Sequence, residues 1–137
     1  MEDLEATGAT PDAQRLELVH RAKTGALLAA AVELGALLAD AHRELLQRFA
    51  RFGREFGLLF QIADDILDVT GSAASLGKSP GKDAAAGKLT YVAVHGLTQA
   101  RACLAELATS LVSTAEELEG KDGTLAALVA YCARRDR

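Results

Sequence analysis

The chain has 137 residues and a mass of 14.3 kDa, the length of one domain that can bury roughly two thirds of the surface its unfolded form exposes. Half the residues are apolar, a quarter are charged, and there are only 12 Gly and 2 Pro, which excludes a disordered segment, a collagen-like repeat or a low-complexity linker. A net charge of -4 and a pI near 5.3 argue against a general nucleic-acid binder, which needs a basic face to displace phosphate counterions.

Apolar residues recur at intervals of three and four, and no stretch alternates long enough for a strand, so the expected fold class is all-α. A first helix is predicted from about Ala13 to Ala39, opened by Thr10-Pro11-Asp12 and punctuated by Asp40. A second is predicted from about Ala41 to Val69, stopping at Thr70-Gly71 because Gly can take the left-handed conformation that closes a helix. Residues 71–88 are rich in Gly, Ser and Lys and read as a loop of functional length. Helix resumes near Thr90, breaks at His95-Gly96 and runs to about Leu118; a turn at Gly120 to Gly123 leads into a last helix, Thr124 to Arg134. The longest apolar run, at 26–32, is cut by Glu33 and falls short of the about 18 residues of a membrane span. The acidic start MEDLEATGATPD is unlike a leader, and Cys103 and Cys132 have no metal-ligand or disulfide spacing, which together point to a reducing cytosol.

The second predicted helix carries the chemistry. In FGLLFQIADDILDVTG, residues Gln61, Asp64, Asp65 and Asp68 stand at helical spacings that put four oxygen-bearing side chains on one stripe. Three carboxylates this close to a helix C-terminus oppose the macrodipole, and a bound cation would relieve that. A few carboxylates on one face suit a Mg²⁺ that keeps waters and ligates substrate phosphates. Gly57 and Gly53 continue the stripe and sacrifice helix propensity, so something is expected to pass close to that face. Phe49, Phe52, Phe56 and Phe60 line the adjacent face, either as a packed core stripe or as the wall of an apolar tunnel.

In GSAASLGKSPGKDAAAGKLTY, Lys78, Lys82 and Lys88 flank Asp83 on flexible backbone, the makings of a cover whose ammonium groups meet phosphate oxygens. The string does not fit GxxxxGK[ST], so no nucleotide loop is implied. Lys23-Thr24 interrupts the first helix just before it becomes rich in Ala and Leu, and Thr is a poor helix residue unless its hydroxyl is used.

These strings resemble the trans-isoprenyl diphosphate synthases, the farnesyl and geranylgeranyl diphosphate synthase family: KTG at Lys23-Thr24-Gly25, FQxxDDxLD from Phe60 to Asp68, GKxxGxD from Gly77 to Asp83, and GKxTY from Gly87 to Tyr91. The ending ARRDR resembles the family's basic C-terminus, and the similarity runs from about Asp3 to Arg137. The resemblance implies a helical bundle in which Mg²⁺, with Mn²⁺ an alternative, bridges an allylic diphosphate to two aspartate-rich motifs. Ionisation then gives an allylic cation that isopentenyl diphosphate attacks head to tail. Carried over, Asp64, Asp65 and Asp68 are the metal site, with Asp64 the foremost ligand. Lys23, Lys78 and Lys88 hold the allylic diphosphate, and Thr24 and Gln61 sit beside the developing cation.

The chain departs from the family in lacking the first aspartate-rich motif and the basic residues that hold isopentenyl diphosphate, and Val92 stands where the family commonly has Pro. It therefore reads as the C-terminal half of such a synthase, inactive alone, self-associating through uncovered apolar faces and homodimeric in its complete form. A non-catalytic helical subunit that partners a full synthase, and a terpene cyclase-like relative, are the competing readings; the GK loop favours synthase over cyclase. His20, His42 and His95 read as ordinary surface or core residues.

Overall fold

A computed structural model of the chain describes residues 24–74, 90–121 and 123–135. All of its regular elements are helices: α1 (Thr24–Leu38), α2 (Arg43–Ala74), α3 (Tyr91–His95), α4 (Leu97–Glu119) and α5 (Thr124–Arg134). The all-α expectation holds, and the breaks fall where local chemistry demands them. At the end of α1, Asp40 takes φ 55, while the N–H of Ala41 reaches the carbonyl of Ala36 and that of Asp40 reaches Leu37. This is the Schellman arrangement, in which a left-handed residue lets the chain satisfy the last free carbonyls. His42 then starts α2, its Nδ1 accepting from the N–H of Leu45 at 3.3 Å.

The expected stop at Thr70-Gly71 is corrected: α2 continues to Ala74. The Thr70 hydroxyl donates to the Ile66 carbonyl at 2.9 Å rather than drawing the backbone away from the helix. Gly71 keeps a negative φ, in contrast to Gly96 and Gly120, at φ 78 and 88. A glycine permits a left-handed exit and does not compel one. Gly96 does impose the break between α3 and α4, and Gly120 that between α4 and α5. Thr90 caps α3 by accepting from the Ala93 N–H at 3.1 Å, and Glu119 reaches across the next turn to accept from the N–H of Leu125 at 2.9 Å.

Helix α2 is the central element and packs in two styles. Toward α1 it presents Gly53 and Gly57. A Cβ on Gly57 would lie 2.3 Å from the Cα of Gly25, and one on Gly53 would lie 2.7 Å from the Cα of Ala29. Residue 25 opposite 57 and 29 opposite 53 is the register of an antiparallel pair, so the close neighbour foreseen for these glycines is the backbone of α1. Toward α4 and α5, α2 presents large side chains. Phe52, Phe56, Leu59, Leu111 and Val129 form one buried cluster, and Ile62, Ile66 and Ala100 a second, under Tyr91 and Val92. The Phe52 and Phe56 rings stack with centroids 6.0 Å apart. The phenylalanine row is therefore a core stripe over Phe52 and Phe56. Leu27, Leu34, Leu37 and Leu38, by contrast, leave a run of α1 more than half exposed.

Candidate functional site

The acids foreseen on one stripe lie in the last third of α2, and their neighbours divide them. Asp65 is turned inward and only 5% exposed. Its Oδ2 accepts from the backbone N–H of Tyr91 at 2.6 Å, and its Oδ1 accepts from Gln61 Nε2 at 3.2 Å. The carboxylate thus ties α2 to the first residue of α3. Burial pushes its pKa up to about 6; the Tyr91 and Gln61 hydrogen bonds offset part of that rise, and the charges of Asp64 and Asp68 add to it. Asp64, one residue earlier, points to the rim with its side chain 49% exposed, and its Oδ1 accepts from Arg135 Nη2 at 2.8 Å. Asp68, one helical turn on from Asp64, is exposed.

Two functional neighbours escape a reading of the helix alone. The first is Arg135, the C-cap of α5. Its guanidinium carbon also lies 4.3 Å from the centroid of the Phe60 ring, within cation-π range. The basic string ARRDR was the available signal, but nothing in its spacing says which acid it meets. The second is Tyr91, whose N–H needs an acceptor because it opens a helix. Beside the ion pair, Ala63, Ile66, Leu67, Leu104, Arg101 and Arg135 line a cleft of about 280 Å³.

The relief from the macrodipole that a bound cation was expected to give is supplied in part at Asp64 by Arg135, at the end of another helix. The macrodipole penalty is also smaller than expected, because α2 runs on to Ala74 and leaves Asp68 outside its last turn. Among the described residues, no three His, Cys, Asp or Glu side chains converge on a point that could hold a metal ion. Asp64 and Asp68, four residues apart at the open rim, are hard oxygen donors that fit a Mg²⁺ bound by one or two carboxylates, waters and phosphate oxygens. Gln61 is engaged with Asp65. Lys23, Lys78, Lys82, Asp83 and Lys88 lie outside the described residues, as does the side chain of Thr24. Gly25 of the KTG string is buried against Gly57. His42 caps α2, and His95 packs on Tyr91 with ring centroids 4.5 Å apart. Cys132 is buried and Cys103 half-buried, and both are free thiols. Among the described residues, no helix is long and apolar enough to cross a membrane.

Fold and site together define an all-α helical bundle with an aspartate-rich helix opening on its rim. The sequence model of the Polyprenyl synthetase family matches residues 1–128, and the chain belongs to that family. It is 44% identical over 140 residues to geranylgeranyl pyrophosphate synthase 11, chloroplastic, of Arabidopsis thaliana, covering 97% of this chain and 38% of that one. Farnesyl diphosphate synthase of Escherichia coli K12 is 42% identical over 139 residues, covering 98% of this chain and 46% of that one. The chain thus spans less than half the length of these relatives. Among solved structures, a decaprenyl diphosphate synthase from Rhodobacter capsulatus superposes with a TM-score of 0.81 at 24% identity, over 99% of this chain and 55% of that one. A geranyltransferase from Helicobacter pylori, complexed with magnesium and isoprenyl diphosphate, superposes with a TM-score of 0.73 at 26% identity, over 96% and 43% respectively.

Proposed function

We propose that this chain forms the second aspartate-rich wall of a trans-isoprenyl diphosphate synthase. The reaction is the head-to-tail condensation of an allylic diphosphate with isopentenyl diphosphate. The observation that carries this reading is the FQxxDDxLD string on α2, with Asp64 open at the rim and held to the bundle through its buried neighbour Asp65. When bound, Mg²⁺ (or Mn²⁺) supplies positive charge against the diphosphate that leaves. Asp64 and Asp68 hold the metal; Asp65, tied to Gln61 and Tyr91, keeps the helix at a fixed distance from α3. Lys23, Lys78 and Lys88 give point charges to the phosphate oxygens, and Thr24 and Gln61 lie toward the developing cation. The apolar side chains of the bundle exclude water, which would otherwise quench that cation.

The 137 residues carry one such wall, and a diphosphate needs metal on both sides as it leaves. The complete enzyme therefore includes a segment that supplies the other motif, on the same or another polypeptide, in an assembly that is homodimeric when complete, in a reducing cytosol. A non-catalytic subunit of a full synthase is the second reading, favoured by the exposed leucines of α1. The test is to assay the purified chain with Mg²⁺, geranyl diphosphate and isopentenyl diphosphate, alone and with a separately expressed N-terminal half of a relative. Activity only on complementation is the expected result. Product from the monomeric chain alone overturns the need for a second wall, and no product in either arm favours the non-catalytic subunit.

A further inference from the structure

We propose that Arg135 is an internal cation that competes with Mg²⁺ for Asp64, so that loading the metal requires the end of α5 to let go of α2. The inference rests on the metal reading of Asp64 given above and concerns how that same carboxylate is kept before metal arrives. Three observations carry it. The guanidinium donates to Asp64 Oδ1 at 2.8 Å, and so already neutralises the carboxylate charge that would attract a metal. It is pinned against the Phe60 ring at 4.3 Å, and the side chain is only 17% exposed, so the contact is sheltered from the screening that weakens surface pairs.

The pairing is also incomplete. An arginine well matched to a carboxylate uses two parallel N–H donors. Here one Nη bonds, and the buried Nε has no hydrogen-bond partner among the described residues. A buried donor left unpaired raises the free energy of the closed arrangement, so the latch holds the carboxylate without locking it. Release is mechanically simple, because Arg135 is the C-cap residue, joined to the helix through one backbone bond from its N–H to the Tyr131 carbonyl. The freed guanidinium stays beside the cleft that it lines with Arg101.

If the latch is closed about nine-tenths of the time, apparent Mg²⁺ affinity falls about tenfold, since only the open fraction binds. The test titrates the full 137-residue chain with Mg²⁺ alone at constant ionic strength, in buffer free of phosphate. Calorimetry follows binding and NMR follows the Arg135 Nε–H resonance. In the unmodified chain that resonance should move along the binding isotherm as the Phe60 ring current is lost, a readout that needs no variant. Arg135→Ala and Arg135→Gln should each bind Mg²⁺ about three- to tenfold more tightly, with helicity checked by circular dichroism. Arg134→Ala removes the same charge from the same helix end, where its Nε donates only to the Ala130 carbonyl, and should change affinity by less than about twofold. The gain from Arg135→Ala should vanish in an Asp64→Asn background. Mg²⁺ binding that is equal or weaker in both Arg135 variants overturns the latch and leaves the metal reading standing. Absence of Mg²⁺ binding in every variant overturns both.

Discussion

The two sides of the last third of α2 differ in what surrounds chemically identical groups. Asp64 and Asp65 are adjacent carboxylates, yet one faces a guanidinium at the rim and the other faces a backbone N–H and an amide inside. The inward side does mechanical work: Asp65 joins α2 to α3, and burial without those bonds would be costly. The outward side leaves Asp64 half exposed at the rim and Asp68 exposed. Adjacent positions on a helix are about 100° apart, which lets a DD pair at the edge of a packed face present one acid to each of two environments.

The largest expected effect falls on the outward acid. In a complemented enzyme, Asp64→Asn should lower turnover at least about a hundredfold, roughly 2.7 kcal/mol of barrier, while shifting unfolding free energy by less than about 1 kcal/mol, because Asp64 itself is half exposed and the Asn Oδ1 can still accept from Arg135. Turnover within threefold of the unmodified enzyme breaks the contrast. Asp65→Ala should do the reverse to stability, costing about 2 kcal/mol by leaving the Tyr91 N–H and the Gln61 amide without their acceptor. Asp65→Asn should recover part of that, since its Oδ1 still accepts from Tyr91. Equal denaturation midpoints for Asp64→Asn and Asp65→Ala would erase the distinction between rim and brace.

Gly57→Ala tests whether the opposite face of α2 is as unforgiving as the inward acid. A Cβ there meets the Gly25 backbone at 2.3 Å, and α1 must move, at a cost of about 1–3 kcal/mol. A chemical denaturation midpoint unchanged by the substitution would mean α1 is not seated as described. Smallest of all, Lys78→Ala or Lys88→Ala should weaken allylic diphosphate binding by about tenfold each, the loss of one ammonium from a phosphate site. Unchanged affinity in both, measured by calorimetry on the complemented enzyme, makes the loop a linker only.

Much of this was legible in the chain itself. The spacing of apolar residues determined an all-α fold, and Asp40, Gly96 and Gly120 mark breaks because a positive φ is a local property of the residue and its two neighbours. The last helix falls at Thr124–Arg134, as its pattern predicts. Gly71 shows where local signals run out, since its permissiveness is compatible with both outcomes. The string FQIADDILD likewise determined that oxygen donors cluster on α2, because helical spacing is a matter of geometry alone.

What only the tertiary structure decided is the division of labour within that cluster. Arg135 lies 71 residues from Asp64, and the N–H of Tyr91 lies 26 from Asp65; no periodicity connects such positions. Their meeting depends on how α4 and α5 pack on Phe52, Phe56, Leu59 and Ile62 of α2. The same packing decided that Gly53 and Gly57 face a helix backbone. Which acid is buried and which meets a guanidinium at the rim follows from desolvation and partner geometry, and both belong to the assembled bundle.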